Sequence, residues 1–212
     1  MIATHQKMFI GGAAGIIAIC LVVWLIGSTA GAQPGTSGAL EKLREANARG
    51  GQERVVANVD GQPIRLLSVT GLLAFAELAG AADGSGKPAN GLTPQGALTL
   101  LIETKILASA ARLAGLSVTE EEVSSMIQLG QIHPLEDPSI PKAQKELMLE
   151  NMKLAGTSPE TIMTDPDSRR SIADTLLAGK YLESISVSRA EAIAQARQLV
   201  DVEIIPGALD TK

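Results

Sequence analysis

The sequence predicts a mainly α-helical protein: an N-terminal membrane helix, then a helical domain closed by a short pair of β-strands. Three observations predict it. Residues 8–28 read MFIGGAAGIIAICLVVWLIGS and carry no charge, which suits a helix of the ~20 apolar residues needed to span a bilayer. Residues 98–114 place apolar side chains with a period near 3.6 and are followed by glycine, as in an amphipathic helix with one buried face. Two short stretches, 54–64 and 202–205, have the alternating or apolar character of strands.

In the first segment, His5 and Lys7 precede the apolar run, and the first charge after it is Glu41. The excess of positive charge at one end places residues 1–29 as a cytoplasmic stub and signal-anchor, with the remainder extracytoplasmic. Trp24 lies near the outer end of the run, at interfacial depth. Ala30-Gly31-Ala32 resembles a signal-peptidase site, and cleavage after Ala32 would release a secreted domain; the two readings export the same domain. Cys20 does not fit a lipoprotein cysteine, because the bulky Ile19 precedes it, and reads as one more apolar residue of the span. The exported part has no cysteine, so neither a disulfide nor thiol chemistry is expected there. Residues 30–53 are rich in Gly, Ala and polar side chains and read as a flexible tether. Leu40–Ala48 within it offers two helical turns, too few to stand alone.

The domain spans 54–206, with 207–212 as a tail. In RVVANVDGQPI, residues 54–64, Val55, Ala57 and Val59 alternate with Val56 and Asn58, Asp60-Gly61 signals a turn, and Pro63 stops a central strand from continuing far. Leu66–Leu78 reads as a helix and 81–92 as a Gly-rich loop. Thr93-Pro94 restarts a helix, with the threonine as cap and the proline at the first helical position. The buried face of that helix is Leu98, Leu101, Ile102, the stem of Lys105, Ile106, Leu107, Ala110, Leu113 and Ala114, and Gly115 supplies a left-handed C-cap. Thr119 and Glu122 form a capping box, and Glu120, Glu121 and Glu122 complement the dipole of a helix over 120–129. A proline-punctuated loop covers 133–141. Lys142–Leu154 is a helix ended by Gly156, Ser158-Pro159 opens a short one, and Asp165-Pro166 opens another reaching Ile185. Ser188 and Glu191 make a second capping box for a helix to Val200. Val202–Ile205 is a short strand that can pair with Val55–Val59.

This order of parts, with LIETKILASAARLAGLSVTEEEV (101–123) at its centre, resembles the SurA N-terminal chaperone domain, which also occurs in the membrane-anchored PpiD and lipoprotein PrsA foldases. The resemblance covers about Arg54–Pro206 and rests on packing positions, none of them catalytic. Asp60 stands where the family more often has asparagine. What the resemblance implies is a helical chaperone domain whose last elements pack back on its first strand, binding unfolded or exported polypeptides without ATP. Those foldases usually carry a parvulin prolyl-isomerase domain. Here the Ser188 helix leads directly to VEIIPGALDTK, and the aromatic, His and Cys residues of a parvulin site are missing. The expectation is therefore no isomerase activity and no enzyme.

The residues themselves offer no catalytic constellation. Net charge is −5 and the longest basic run is Arg169-Arg170, which disfavours nucleic acid. His133 is the one histidine outside the leader and precedes a proline, so it supports neither a histidine metal site nor a triad. The acidic run 120–122 and the pair Asp165 and Asp167 read as helix caps rather than as a cation site. Gly84, Gly86 and Gly91 lack phosphate-loop spacing, and Ser158 and Ser188 are caps with no base beside them. No cofactor and no metal are expected. The candidate peptide-binding side chains are Phe75, Met126, Met148, Met152 and Met163, because flexible, polarizable methionines adapt to varied apolar segments. Met148 and Met152 share a helix face. The same methionines would equally serve to fill the core of a chain with only four aromatic residues. A second functional reading is an accessory or structural subunit of an envelope or secretion complex, docking one fixed partner, and homodimerisation is compatible with either.

Overall fold

A computed structural model describes residues 54–82, 92–140, 142–154 and 157–209. The apolar span 8–28 with Cys20 and Trp24, the tether 30–53, most of the Gly-rich loop, Gly156 and the last three residues of the tail lie outside the described residues. The order of elements is β1 (Val55–Val59), β2 (Gln62–Arg65), α1 (Leu66–Ala82), α2 (Pro94–Leu113), α3 (Glu120–Ile127), a π-helical segment (Gln128–Ile132), α4 (His133–Glu136), α5 (Lys142–Leu154), α6 (Pro166–Ser184), α7 (Arg189–Ala196) and β3 (Val202–Ile204). The described chain is mostly helical. No helix among the described residues is long and apolar enough to cross a membrane.

The sheet has three antiparallel strands in the order β2-β1-β3, not two. Val59 pairs with Gln62 across Asp60 and Gly61, whose φ values are +53° and +74°. Two successive left-handed residues make the tight hairpin whose twist matches that of its strands. Pro63 therefore does not end the sheet; it sits in an edge strand opposite Asn58, where a proline is tolerated. On the other side of β1, Ala57 pairs with Ile204 and Val59 with Val202, so the last strand closes on the first as expected.

Helix α2 runs through the middle. Thr93 caps it by accepting from the Gly96 N–H at 3.1 Å. At its other end the Gly115 N–H reaches the Arg112 carbonyl at 3.0 Å and the Leu116 N–H reaches Ala111 at 2.9 Å. With Gly115 at φ +77°, this is a Schellman closure, and Leu116 packs on the same small cluster as Ala111. The expected single buried face is too narrow. Ile106 to Ala111 are buried without interruption, because the sheet and α7 cover one side of α2 and α6 covers another. Leu113 is 66% exposed, since it lies in the last turn, past the packed section.

Two cores result. The main one joins β1, β2, α1 and α2 to Ala178 of α6, to Ala192 and Ala196 of α7 and to Ala208. The second is small: Val123, Ile127, Met152 and Ile162, with Ile172, Ala173 and Leu176 of α6 against them. Helix α6 serves both, and its contact with α2 is the most extensive between helices. Alanines at 108 and 111 of α2 meet Leu177 of α6, small residues that allow close approach of the two backbones.

Several boundaries differ from those read in the sequence. Helix α1 continues to Ala82. The helix read as 120–129 ends at Ile127 and widens into the π segment, and 133–136 is a helical turn instead of loop. Pro134 is the reason it starts there, as it occupies the first turn, where its missing N–H costs nothing. Ser158 does not open a helix. The Ser158 N–H donates to Thr161 Oγ1 at 3.0 Å and Ile162 N–H to the Ser158 carbonyl at 2.8 Å, so hydroxyls and turns satisfy this stretch. Helix α7 stops at Ala196, after which Gln198 and Leu199 donate three residues back, at 3.1 and 3.0 Å.

Candidate functional site

Residues 118–163 form a lobe of short helices over the second core. Its placement begins with α6, which is fixed by charge as well as by packing. Asp174 is 2% exposed. One of its oxygens accepts from Lys105 Nζ at 3.0 Å and the other from Arg112. Lys105 also donates to the Gln62 side-chain carbonyl at 3.2 Å. Lys105 and Arg112 are seven residues apart, two turns along one face of α2, so a single carboxylate on α6 engages both. A buried carboxylate requires such partners.

Further along α6, Arg169 fastens the lobe. It donates to the Met163 carbonyl at 2.7 Å and to Ser124 Oγ at 3.2 Å, and it pairs with the Glu120 carboxylate. Lys180 reaches Glu122 at 2.7 Å and the Ser117 carbonyl at 2.8 Å. Two members of the acidic run at 120–122 are thus engaged by cations of α6. Glu122 also closes the capping box by accepting from the Thr119 N–H at 2.7 Å. The Lys180 ammonium, and after it the Thr119 amide, hold the Glu122 carboxyl below its ordinary value. A shallow cavity of about 300 Å³ lies between α3 and α6, bounded by Glu120, Val123, Pro166, Arg169, Arg170 and Ala173.

The candidate peptide-binding residues are distributed unevenly over this lobe. Met152 is 4% exposed, a member of the second core, and Met163 is half-buried against it. Met126 of α3 and Met148 of α5 are half-buried and outside the central cluster. Phe75 lies in α1, an element that packs on α5; its side chain is outside the described part of the structure. Two exposed apolar side chains here are not evident from sequence. Leu129 is 68% exposed in the π segment and Leu149 is 42% exposed on α5, next to Met148. Leu129 stands two residues past Ile127, about 200° round the helix, and so lies off the face set by Val123 and Ile127. Asp174 is equally easy to miss, though an acid at 174 on the stripe that continues to Leu177 and Ala178 is a signal of a buried pair.

The arrangement can offer apolar contact on a lobe with a thin core of its own. His133 is exposed, and among the described residues no three His, Cys, Asp or Glu side chains converge in a way that could hold a metal ion. No family model, curated protein or solved structure matches this chain.

Proposed function

We propose that this chain is a membrane-anchored, extracytoplasmic chaperone-like protein that holds apolar segments of unfolded exported proteins. The observation that carries the proposal is the apolar surface of the lobe: Leu129 and Leu149 stand in solvent, and Met126 and Met148 are half-buried beside a core of four buried residues among those described. A thin core opens at little cost, and flexible methionines next to exposed leucines suit clients of varied sequence. Support also comes from the apolar run at 8–28, which would hold the domain near the site where exported chains emerge. The SurA-type order of parts points to the same function, with β3 returning to β1. Binding in this reading is broad and weak, and it uses neither nucleotide nor covalent chemistry.

The test uses the full chain in lipid nanodiscs, with empty discs as control. Two unrelated unfolded proteins are allowed to aggregate at near-stoichiometric ratio, and a prolyl-isomerase assay is run alongside. Protection of both clients with no isomerase signal is the expected result. Protection of neither, together with one protein recovered reproducibly from membranes, would replace this reading with that of a dedicated subunit of an envelope complex.

A further inference from the structure

The two edges of the sheet are built differently. The Asp60 N–H donates to the Asp201 carbonyl at 2.8 Å and the Ile205 N–H to the Val56 carbonyl at 3.0 Å. In an antiparallel ladder the bonded positions alternate. With Asn58 opposite Glu203, the positions of β3 that bond to β1 are 201, 203 and 205. The backbone N–H and C=O of Val202 and Ile204 therefore point away from the sheet, and no bond to them occurs among the described residues. By the same alternation, Ala57 and Val59 of β1 bond to Ile64 and Gln62 of β2, which turns position 63 outward. That position is proline, so the β2 edge lacks an outward donor at its centre, which disfavours strand addition there. Within β3 both outward positions, 202 and 204, keep their N–H groups, and a proline stands only at the next outward position, Pro206, past the end of the strand.

The geometry points to β3 as a strand-addition site that captures an extended polypeptide segment with a basic residue between two apolar ones. The identity of the occupant as an unfolded client rests on the proposed function. Val202 and Ile204 offer two donors and two acceptors to a fourth strand. Their side chains share one face, and Ile204 is 45% exposed, so apolar partners are favoured opposite them. Glu203 lies on the other face and is exposed, accepting from Asn58 Nδ2 at 3.1 Å; Asp201 is exposed on the same side. A cationic side chain opposite Glu203 completes the pairing. The same charges count against a second copy of this chain. In the register that pairs all three residues, a two-fold axis would set Glu203 directly against its equivalent, a repulsive cross-strand pair. The strand is short, which makes capture weak and reversible.

Fluorescein-labelled Ser-Thr-Val-Lys-Val-Thr-Ser is titrated by anisotropy against the full chain in nanodiscs. Three comparisons follow: the same peptide N-methylated at both valines, a peptide with glutamate in place of lysine, and the variant Ile204→Pro. Ile204→Pro removes an outward N–H that does not bond to β1, and its fold is checked by circular dichroism. The parent peptide is expected to bind, and each of the three changes to weaken it by roughly tenfold, the loss of one or two hydrogen bonds or of a charge pair. Equal affinity for the parent and N-methylated peptides overturns strand addition, and that arm needs no variant. Absence of binding by the parent peptide overturns it as well. Client protection that persists in Ile204→Pro after its peptide binding is lost overturns the unfolded client as occupant of the edge and leaves the chaperone reading intact. Edge binding without protection of any client does the reverse.

Discussion

Lys105 of α2 and Asp174 of α6 meet at 3.0 Å, with the carboxylate side chain 3% exposed and the lysine 18% exposed. Arg112 holds the second oxygen of the same carboxylate, and Gln62 ties the lysine to the hairpin. One acidic side chain thus links the sheet, the central helix and the helix that carries the lobe.

Removing that carboxylate leaves two cations on one face of α2 without their shared partner on α6. Asp174→Ala is expected to destabilise the fold by roughly 2–4 kcal/mol, the lower part of the usual range because Arg112 is partly solvated. Replacing all three charges with apolar side chains of similar size should recover most of that loss, since the desolvation of the ions disappears with them. Thermal melts followed by circular dichroism decide it; a triple variant as unstable as the single one would show that packing, not charge, is limiting.

The methionines and leucines of the lobe separate by burial. Met152→Ala removes a side chain of the second core and is expected to cost roughly 2–4 kcal/mol. Leu129→Ser with Leu149→Ser removes side chains that are 68% and 42% exposed and belong to no buried cluster among the described residues, and stability should change by less than about 0.5 kcal/mol per site. If the lobe holds clients, that double variant loses aggregation protection at unchanged melting temperature. Full protection by the double variant would remove Leu129 and Leu149 from the client surface.

Acid should loosen the fold at two helix starts, one of them in the lobe. Lys180 and the Thr119 amide hold Glu122 below the ordinary glutamate value of 4.5, and the Ser188 amide and hydroxyl do the same for Glu191. A carboxyl whose value is lower in the folded state favours folding above its unfolded value, and the advantage is lost as pH falls through the folded one. The melting temperature is expected to drop from about pH 5 to about pH 3, and Glu122→Gln should flatten that drop while lowering the neutral-pH value. A parallel dependence in wild type and variant would assign the acid sensitivity to other carboxylates.

At Gly115 the requirement is backbone conformation, not space. Its φ is +77° and nothing lies within 4 Å of the point a Cβ would occupy, so Gly115→Ala should cost about 1 kcal/mol, the left-handed penalty alone. That corresponds to a fall of roughly 2–4 °C in melting temperature. Gly115→Asn should cost less, because asparagine tolerates this region better.

Local chemistry made much of the fold legible. The boxes Thr119–Glu122 and Ser188–Glu191 and the caps Thr93 and Asp165 mark helix starts through hydrogen bonds that span three residues. The site was less legible. Met152 and Met148 share a helix face in the sequence, yet one is in the core and the other half-buried, because the period of a helix gives direction and not depth. Likewise, Lys105 reads as an apolar stem until Asp174, 69 residues later, is brought to its ammonium.

By itself, then, the sequence determined the helical character, the caps and the turn at Asp60-Gly61, since each follows from neighbours in the chain, and it offered Val202–Ile205 as a strand that can pair with β1. Tertiary structure alone decided that α2 is enclosed on more than one side, that one carboxylate binds two cations across helices, and that Pro63 and Ile204 occupy opposite edges of one sheet. These depend on which surfaces lose water to each other, and segments far apart in sequence settle that only when they pack.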